Sequence, residues 1–163
     1  MNNNFKIKKI LNHEFIFDGS GGVFIRNTKT LIISDLHFGK SLSMSRNGNF
    51  VPPYDIKETL VKLKKLVLKY NPSKIISLGD NFHDNFSILN LINNDLKEIR
   101  SLTRKINFIW ISGNHDNKML FKEKVGGQFY NNLTEKPFNY SHMKKIENFS
   151  LYQFSGHFHP KIS

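Results

Sequence analysis

A chain of 163 residues with 39% hydrophobic and 13% aromatic side chains, 15 residues being Phe, is long enough for one hydrophobic core and too apolar to stay disordered, so a single domain over residues 1–163 is expected. Cysteine is absent, which excludes disulfides and thiolate metal sites and leaves His, Asp, Glu, Asn or backbone oxygen to hold any metal. The formal charge of +11 suits a partner that carries phosphates, although 20 Lys, 20 Asn and no Ala is also the bias that AT-rich codon usage gives to any protein.

The Met1-Asn2-Asn3-Asn4 start lacks the apolar stretch of a signal peptide, and no apolar run approaches the roughly 20 residues of a membrane helix. A soluble, cytoplasmic protein is the expectation. Phe5 to Arg26 holds short apolar stretches around Gly19 to Gly22, which predicts a hairpin joining a second sheet. Thr30 to Ser34 is a buried strand by its apolar, β-branched run. An amphipathic helix follows over Asp55 to Tyr70, where Ile56, Leu60, Leu63, Val67 and Tyr70 recur at helical spacing. Pro52-Pro53 precedes it, Asp55 and Glu58 resemble a capping box, and Asn71-Pro72 ends it.

Lys74 to Leu78 is the second strand, and a second helix is predicted from Ser87 to about Thr103 on Ile88, Ile92, Leu96, Ile99 and Leu102. Asn107 to Ser112 and Leu151 to Ser155 are the remaining strands. The stretch Asn117 to Ser150, broken by Gly126-Gly127, Asn131-Asn132 and Pro137, reads as a long, partly irregular connection. Strand alternating with helix implies an α/β layered fold.

Each strand runs into polar residues. Ser34-Asp35-Leu36-His37 places an Asp and a His two residues apart, so that both can face one ligand. Gly79-Asp80 leaves a carboxylate at the next strand end. Ser112-Gly113-Asn114-His115-Asp116 offers an amide, an imidazole and a carboxylate in succession, and Ser155-Gly156-His157-Phe158-His159 offers two imidazoles. Any one of these is also an ordinary turn or surface histidine. Carboxyl edges of neighbouring strands are where open α/β sheets bind ligands, so four such motifs at four edges converge on one pocket.

Asp35-x-His37, Gly79-Asp80, Gly113-Asn114-His115-Asp116, His142 and Gly156-His157-x-His159 together resemble the ordered signature of the calcineurin-like metallophosphoesterases. Asp35 to Lys40 with Gly48 and Pro52, Gly79 to His83, and Ser155 to Pro160 are similar to the bacterial ligase-associated DNA-damage-response endonuclease subfamily. That subfamily carries His-Glu-Pro where this chain has His142-Met143-Lys144. The resemblance implies β-sheets flanked by helices. Relatives continue into further strands where this chain ends four residues after His159, so the expected fold is C-terminally short.

The resemblance also implies two divalent ions, for which Mn²⁺ is favoured over Fe²⁺ and Zn²⁺. One would take Asp35, His37, Asp80 and His159, and the other Asp80, Asn114, His142 and His157, with Asp80 bridging. Their activated hydroxide would hydrolyse a phosphodiester, with His115 as general acid or electrostatic stabiliser. Asp116 would orient His115 or simply stabilise a turn. Lys40, Arg46 and His83 are candidate substrate contacts, with solvated loop residues as the competing reading. His13 is expected at the surface.

The implied substrate is nucleic acid, in DNA repair and with a functional link to a DNA ligase. A small-molecule phosphodiesterase or nucleotide pyrophosphatase is the alternative, and a non-catalytic scaffold the reading from another class.

Overall fold

The computed structural model of the chain describes residues 5–49, 51, 52, 54–116, 123–143 and 152–157. Seven strands form the large sheet: β1 (Phe5–Ile10), β2 (His13–Asp18), β3 (Gly22–Ile25), β4 (Thr30–Ile33), β5 (Lys74–Ser77), β6 (Asn107–Ile111) and β7 (Gln128–Tyr130), in that order. β1 to β4 pair antiparallel as a meander, and β4 to β7 pair parallel. A smaller sheet runs in the order β10 (Tyr152–Ser155), β9 (Phe138–Ser141), β8 (Asn132–Glu135). The helices with described bounds are α1 (Lys40–Arg46), α2 (Asp55–Tyr70), α3 (Asn85–Leu89) and α4 (Asn93–Lys105), and residues 123–125 are helical as well.

The central strands read as unbroken apolar runs because both their faces are buried. Leu31, Ile33, Ile75, Phe108 and Trp110 point to the helices, where Ile56, Leu60, Leu63 and Leu66 of α2 and Ile99 and Leu102 of α4 meet them. The alternate residues Ile32, Ile76, Ile109 and Ile111 point the other way, onto Phe138 and Tyr140 of the small sheet and Phe15 of β2. The result is three layers, helix on sheet on sheet. Among the described residues no helix is long and apolar enough to cross a membrane.

Several local expectations are corrected. The front segment does not join a second sheet; it widens the main one. Asp55 and Glu58 do not cap α2, whose N-cap is Tyr54 without a side-chain bond. The Asp55 carboxylate instead accepts from the Ser41 amide and hydroxyl, tying α1 to α2.

The helix expected over 87–103 is split. Asp84 caps the short α3 by accepting from the Ser87 amide at 2.7 Å, the chain leaves the helix at Asn90, and α4 starts afresh at Asn93. Ile92, assigned to the apolar stripe, is 53% exposed as a result. The stretch 117–150, expected to be partly irregular, contains β7, β8 and β9, which lack the unbroken apolar runs that reveal the equally short β4 and β5. Finally, β10 is no neighbour of β4 to β6 but an element of the other sheet.

Candidate metal centre

Past the ends of β4 and β5 the two chain segments continue side by side. The Asp35 amide donates to the Gly79 carbonyl at 3.1 Å, His37 to Asp80 at 2.9 Å, Phe38 to Asn81 at 2.9 Å, and His83 to Phe38 at 3.1 Å. Phe38 and Phe82 form a parallel bridge, and both side chains are buried. These bonds hold an unusual backbone. Asp35 (φ 52°), His37 (44°), Asp80 (48°) and His157 (70°) all adopt the left-handed region, at a cost of about 1–3 kcal/mol each for a residue with a Cβ. Among the described residues, the other non-glycine positions in that region, Leu11, Lys29 and Asn71, lie in turns or at the end of α2. Strain of this kind concentrates at functional sites, and here it falls on four of the predicted ligands.

Asp35, His37 and Asp80 bring ligand atoms within 4.8 Å of one another, and Asp80, His142 and His157 do the same. Asp80 belongs to both groups and is 4% exposed. His157 reaches the first group through its amide, which donates to Asp35 Oδ1 at 3.3 Å, and its ring packs edge-on against His142 with centroids 5.0 Å apart.

The His142 ring tests whether a cation fits. Its Nδ1 lies 2.9 Å from the Leu78 carbonyl, which can only accept, so the proton is assigned to Nδ1. Nε2 is then a bare lone pair, buried and without a hydrogen-bond donor, facing Asp80 Oδ1 at 3.3 Å. Two electron-rich atoms so placed suit a cation between or beside them, and an imidazole whose other nitrogen donates to a carbonyl is the usual form of a metal-ligating histidine. His37 agrees with this. Burial holds its imidazole below its ordinary pKa, with His83 and His115 adding to the effect and Asp80 and Asp35 opposing it, so the neutral form that ligates metals prevails.

The supports of the site are backbone and amide groups. Gly79 has φ 94°, and a Cβ there would stand 2.5 Å from His142 Nδ1. A Cβ on Gly113 would run into the Asp80 amide and carboxylate. Asn81, absent from the expected site residues, is 1% exposed, bonds Ser77, and donates to the Ile111 carbonyl at 3.0 Å, joining the ends of β5 and β6. Its only signal in the sequence is its position directly after Gly79-Asp80.

The role expected for Asp116 as a partner of His115 is corrected. Its carboxylate accepts from the amides of Asn81 (3.1 Å), Phe82 (3.2 Å) and Gly113 (2.9 Å) and from Asn81 Nδ2 (2.8 Å), which clamps the Asp80 loop to the Gly113 loop. Burial pushes its pKa above the ordinary carboxylate range, and these donors oppose the shift. Asp116 is therefore a positioning residue, the turn-stabilising alternative of the two.

Asn114 and His115 are exposed on the loop after β6, and the His115 amide donates to Asp80 Oδ1 at 3.4 Å. The His115 ring lies parallel to His83 at 5.9 Å and 6.1 Å from His37, while His83 is 6.0 Å from His37, so three imidazoles line one side of the centre. Lys40 is exposed at the start of α1, its amide bonded to the His37 carbonyl. Arg46 lies at the other end of α1 with its guanidinium 5.0 Å over the Phe86 ring, a contact that accounts for it without any substrate. His13 is no plain surface residue, since its ring packs edge-on against Phe138 at 4.9 Å. His159 lies outside the described residues.

A three-layered fold with paired carboxylates and imidazoles at the ends of its parallel strands agrees with what sequence comparison finds: the chain belongs to the calcineurin-like phosphoesterase family, whose profile matches residues 28–161. It is thereby a phosphoesterase of the hydrolase class, in a family that uses divalent metals. Among solved structures it is similar to the nuclease MPE of Pseudomonas putida, with a TM-score of 0.77 and 20% identity over 96% of this chain and 74% of that one. A protein of unknown function from Aquifex aeolicus, AQ665, aligns with a TM-score of 0.48 and 20% identity over 73% of this chain and 63% of that one. No curated protein matches the chain.

Proposed function

We propose that this protein is a dinuclear-metal phosphodiesterase acting on nucleic acid. The observation that carries the reading is the pair of ligand groups sharing the buried Asp80 carboxylate. Asp35, His37 and Asp80 would hold one ion and Asp80, His142 and His157 the other, with Asn114 and His159 as additional ligands. When bound, two such ions supply positive charge for the phosphoryl oxygens and an acidified water as nucleophile, and Mn²⁺ suits the all-nitrogen-and-oxygen donor set.

The chain's own residues have distinct tasks. Asp80 neutralises charge between the two half-sites. The Leu78 carbonyl fixes the His142 tautomer. His115, exposed and next to Asn114, donates a proton to the leaving oxygen or a hydrogen bond to the phosphoryl group. His83 lies parallel to His115 with ring centroids 5.9 Å apart, on the same side of the centre. The polynucleotide substrate is supported by the fold likeness to a nuclease and by the net charge of +11. A place beside a DNA ligase in repair extends the same reading through the subfamily motifs.

The test is hydrolysis of bis-p-nitrophenyl phosphate and of DNA by metal-stripped protein, with and without Mn²⁺. Activity restored by Mn²⁺ and reduced at least about a hundredfold in both Asp80→Ala and His115→Ala supports the proposal. A folded protein inert under every divalent ion would overturn it, and turnover of small diesters with none of DNA or RNA would move the substrate to small molecules.

A further inference from the structure

On the helical side of the large sheet, next to the metal centre, lies a separate pocket of about 230 Å³. The stretch Ser34–Leu36 is its wall toward the centre, so Asp35 borders both. The facing wall is one side of α2, where Thr59, Lys62, Leu63 and Leu66 follow the i, i+3, i+4, i+7 spacing that aligns side chains along a helix. The turn between β2 and β3 closes a third side at Ser20 and Gly21.

The lining divides by chemistry. Leu63 and Leu66 are buried and Leu36 packs on the same cluster, which makes an apolar floor. Ser34, Thr59 and the exposed Lys62 supply polar side chains to the same lining. Lys64 and Lys69 of the same helix are paired with Glu98 and Asp18, whereas the ion pairs among the described residues do not include Lys62. A cation with no carboxylate partner at the mouth of a pocket is a place for an anion. The apolar floor asks for a flat or hydrophobic group beneath it. The volume lies below the roughly 300–1,000 Å³ of sites for drug-sized molecules, so it holds one ring system rather than a base pair.

We propose that this pocket is a subsite for one nucleotide flanking the scissile phosphodiester, its base on Leu36, Leu63 and Leu66 and its outer phosphate at Lys62. The inference rests on the phosphodiesterase reading of the adjoining centre. With Asp35 engaged by the adjoining centre, Lys62 on the facing helix is the cation of the lining that is left for the flanking phosphate.

The test compares Mn²⁺-loaded protein on thymidine 5′-p-nitrophenyl phosphate bearing a 3′-phosphate, thymidine 3′-p-nitrophenyl phosphate bearing a 5′-phosphate, so that each carries the outer phosphate, and methyl p-nitrophenyl phosphate. The last has no group long enough to enter the pocket from its methyl side. The readout is the ratio of kcat/KM for each thymidine ester to that for the methyl ester, in the unaltered chain, in Lys62→Glu, and in Thr59→Trp, which fills the cavity. The unaltered chain should favour one thymidine ester, and that ratio should fall about tenfold in both variants; the ester affected tells which side of the scissile bond the pocket serves. Ratios unchanged in both variants would overturn the subsite even with the centre fully active, as would an unaltered chain that does not prefer either thymidine ester. A protein inert on all three esters would defeat the parent reading and the subsite with it.

Discussion

Asp35, His37 and Asp80 stand on two loops of a single sheet, whereas His142 and His157 arrive from the other sheet, across the second core. The first group is locked by backbone bonds between adjacent chain segments, from Asp35 to Gly79 as far as His83 to Phe38. The second depends on side-chain packing: Phe138, Tyr140 and Phe154 against Phe15 and the inner face of β4 to β6 set how far β9 and β10 stand from the large sheet. One half of the centre is therefore a property of strand pairing and the other a property of how two sheets pack. The halves meet at the buried pair of His142 and Asp80.

The largest effect should come where the halves are coupled. Gly113→Ala puts a methyl group into the Asp80 backbone and carboxylate, so both halves should fail, with phosphodiesterase activity down at least about a hundredfold, as for displacements of about 1 Å at a reacting centre. Activity measured beside metal content would check this, and near-normal values of both would refute the account of Gly113.

Gly79→Ala acts on the His142 side, since its Cβ meets that ring. The expected result is a fall from about two bound ions per chain to about one, read by equilibrium dialysis against Mn²⁺. Loss of both ions together would mean that the two halves do not separate in this way.

Phe138→Ala probes the packing on which the second half relies. It should destabilise the protein by about 3–5 kcal/mol in urea unfolding, the usual range for deleting a buried aromatic ring, and weaken the second ion before the first. A change under about 1 kcal/mol would show that the small sheet is held by something else.

The smallest effect should leave both halves intact. Asp18, its side chain 6% exposed, accepts from Lys69, Tyr70 and Ser20 and ties β2 to the end of α2. Burial alone would raise its pKa, but these donors outweigh it and hold it well below the ordinary range. A depressed folded pKa contributes stability that is present above the unfolded value of about 3.9 and is lost as pH falls through the folded one. Asp18→Asn should thus cost about 1.5–3 kcal/mol near neutral pH and progressively less below about pH 4, with activity per folded molecule unchanged. A cost independent of pH between about 3 and 7 would contradict this assignment.

Much of the first half is legible in the amino-acid sequence alone. Asp35-x-His37 and Gly79-Asp80 follow strands whose unbroken apolar runs identify them, and parallel strands bring their carboxyl ends together. The second half is legible only as residue types. His142 and His157 lie beside β9 (FNYS) and β10 (YQFS), which lack the apolar, β-branched runs of β4 and β5 and so carry no sign of which sheet they join. Asp55 and Asp116 show the same limit: each has a local reading, a capping box and a partner for His115, but Asp55 is claimed by Ser41, 14 residues away, and Asp116 by Asn81, 35 residues away, besides the nearby Gly113.

Composition, strand periodicity and the order of motifs are enough to define the α/β layers, the absence of thiolate ligands and the residue types able to gather around a metal, because these depend on side-chain chemistry and on spacings of two or about four residues. The bare Nε2 of His142 opposite Asp80, the left-handed backbone under four candidate ligands, the Asp116 clamp and the pocket beside Asp35 belong to the folded chain alone. Each arises from contacts between segments far apart in sequence, and such contacts exist only once the two sheets and the helices have packed.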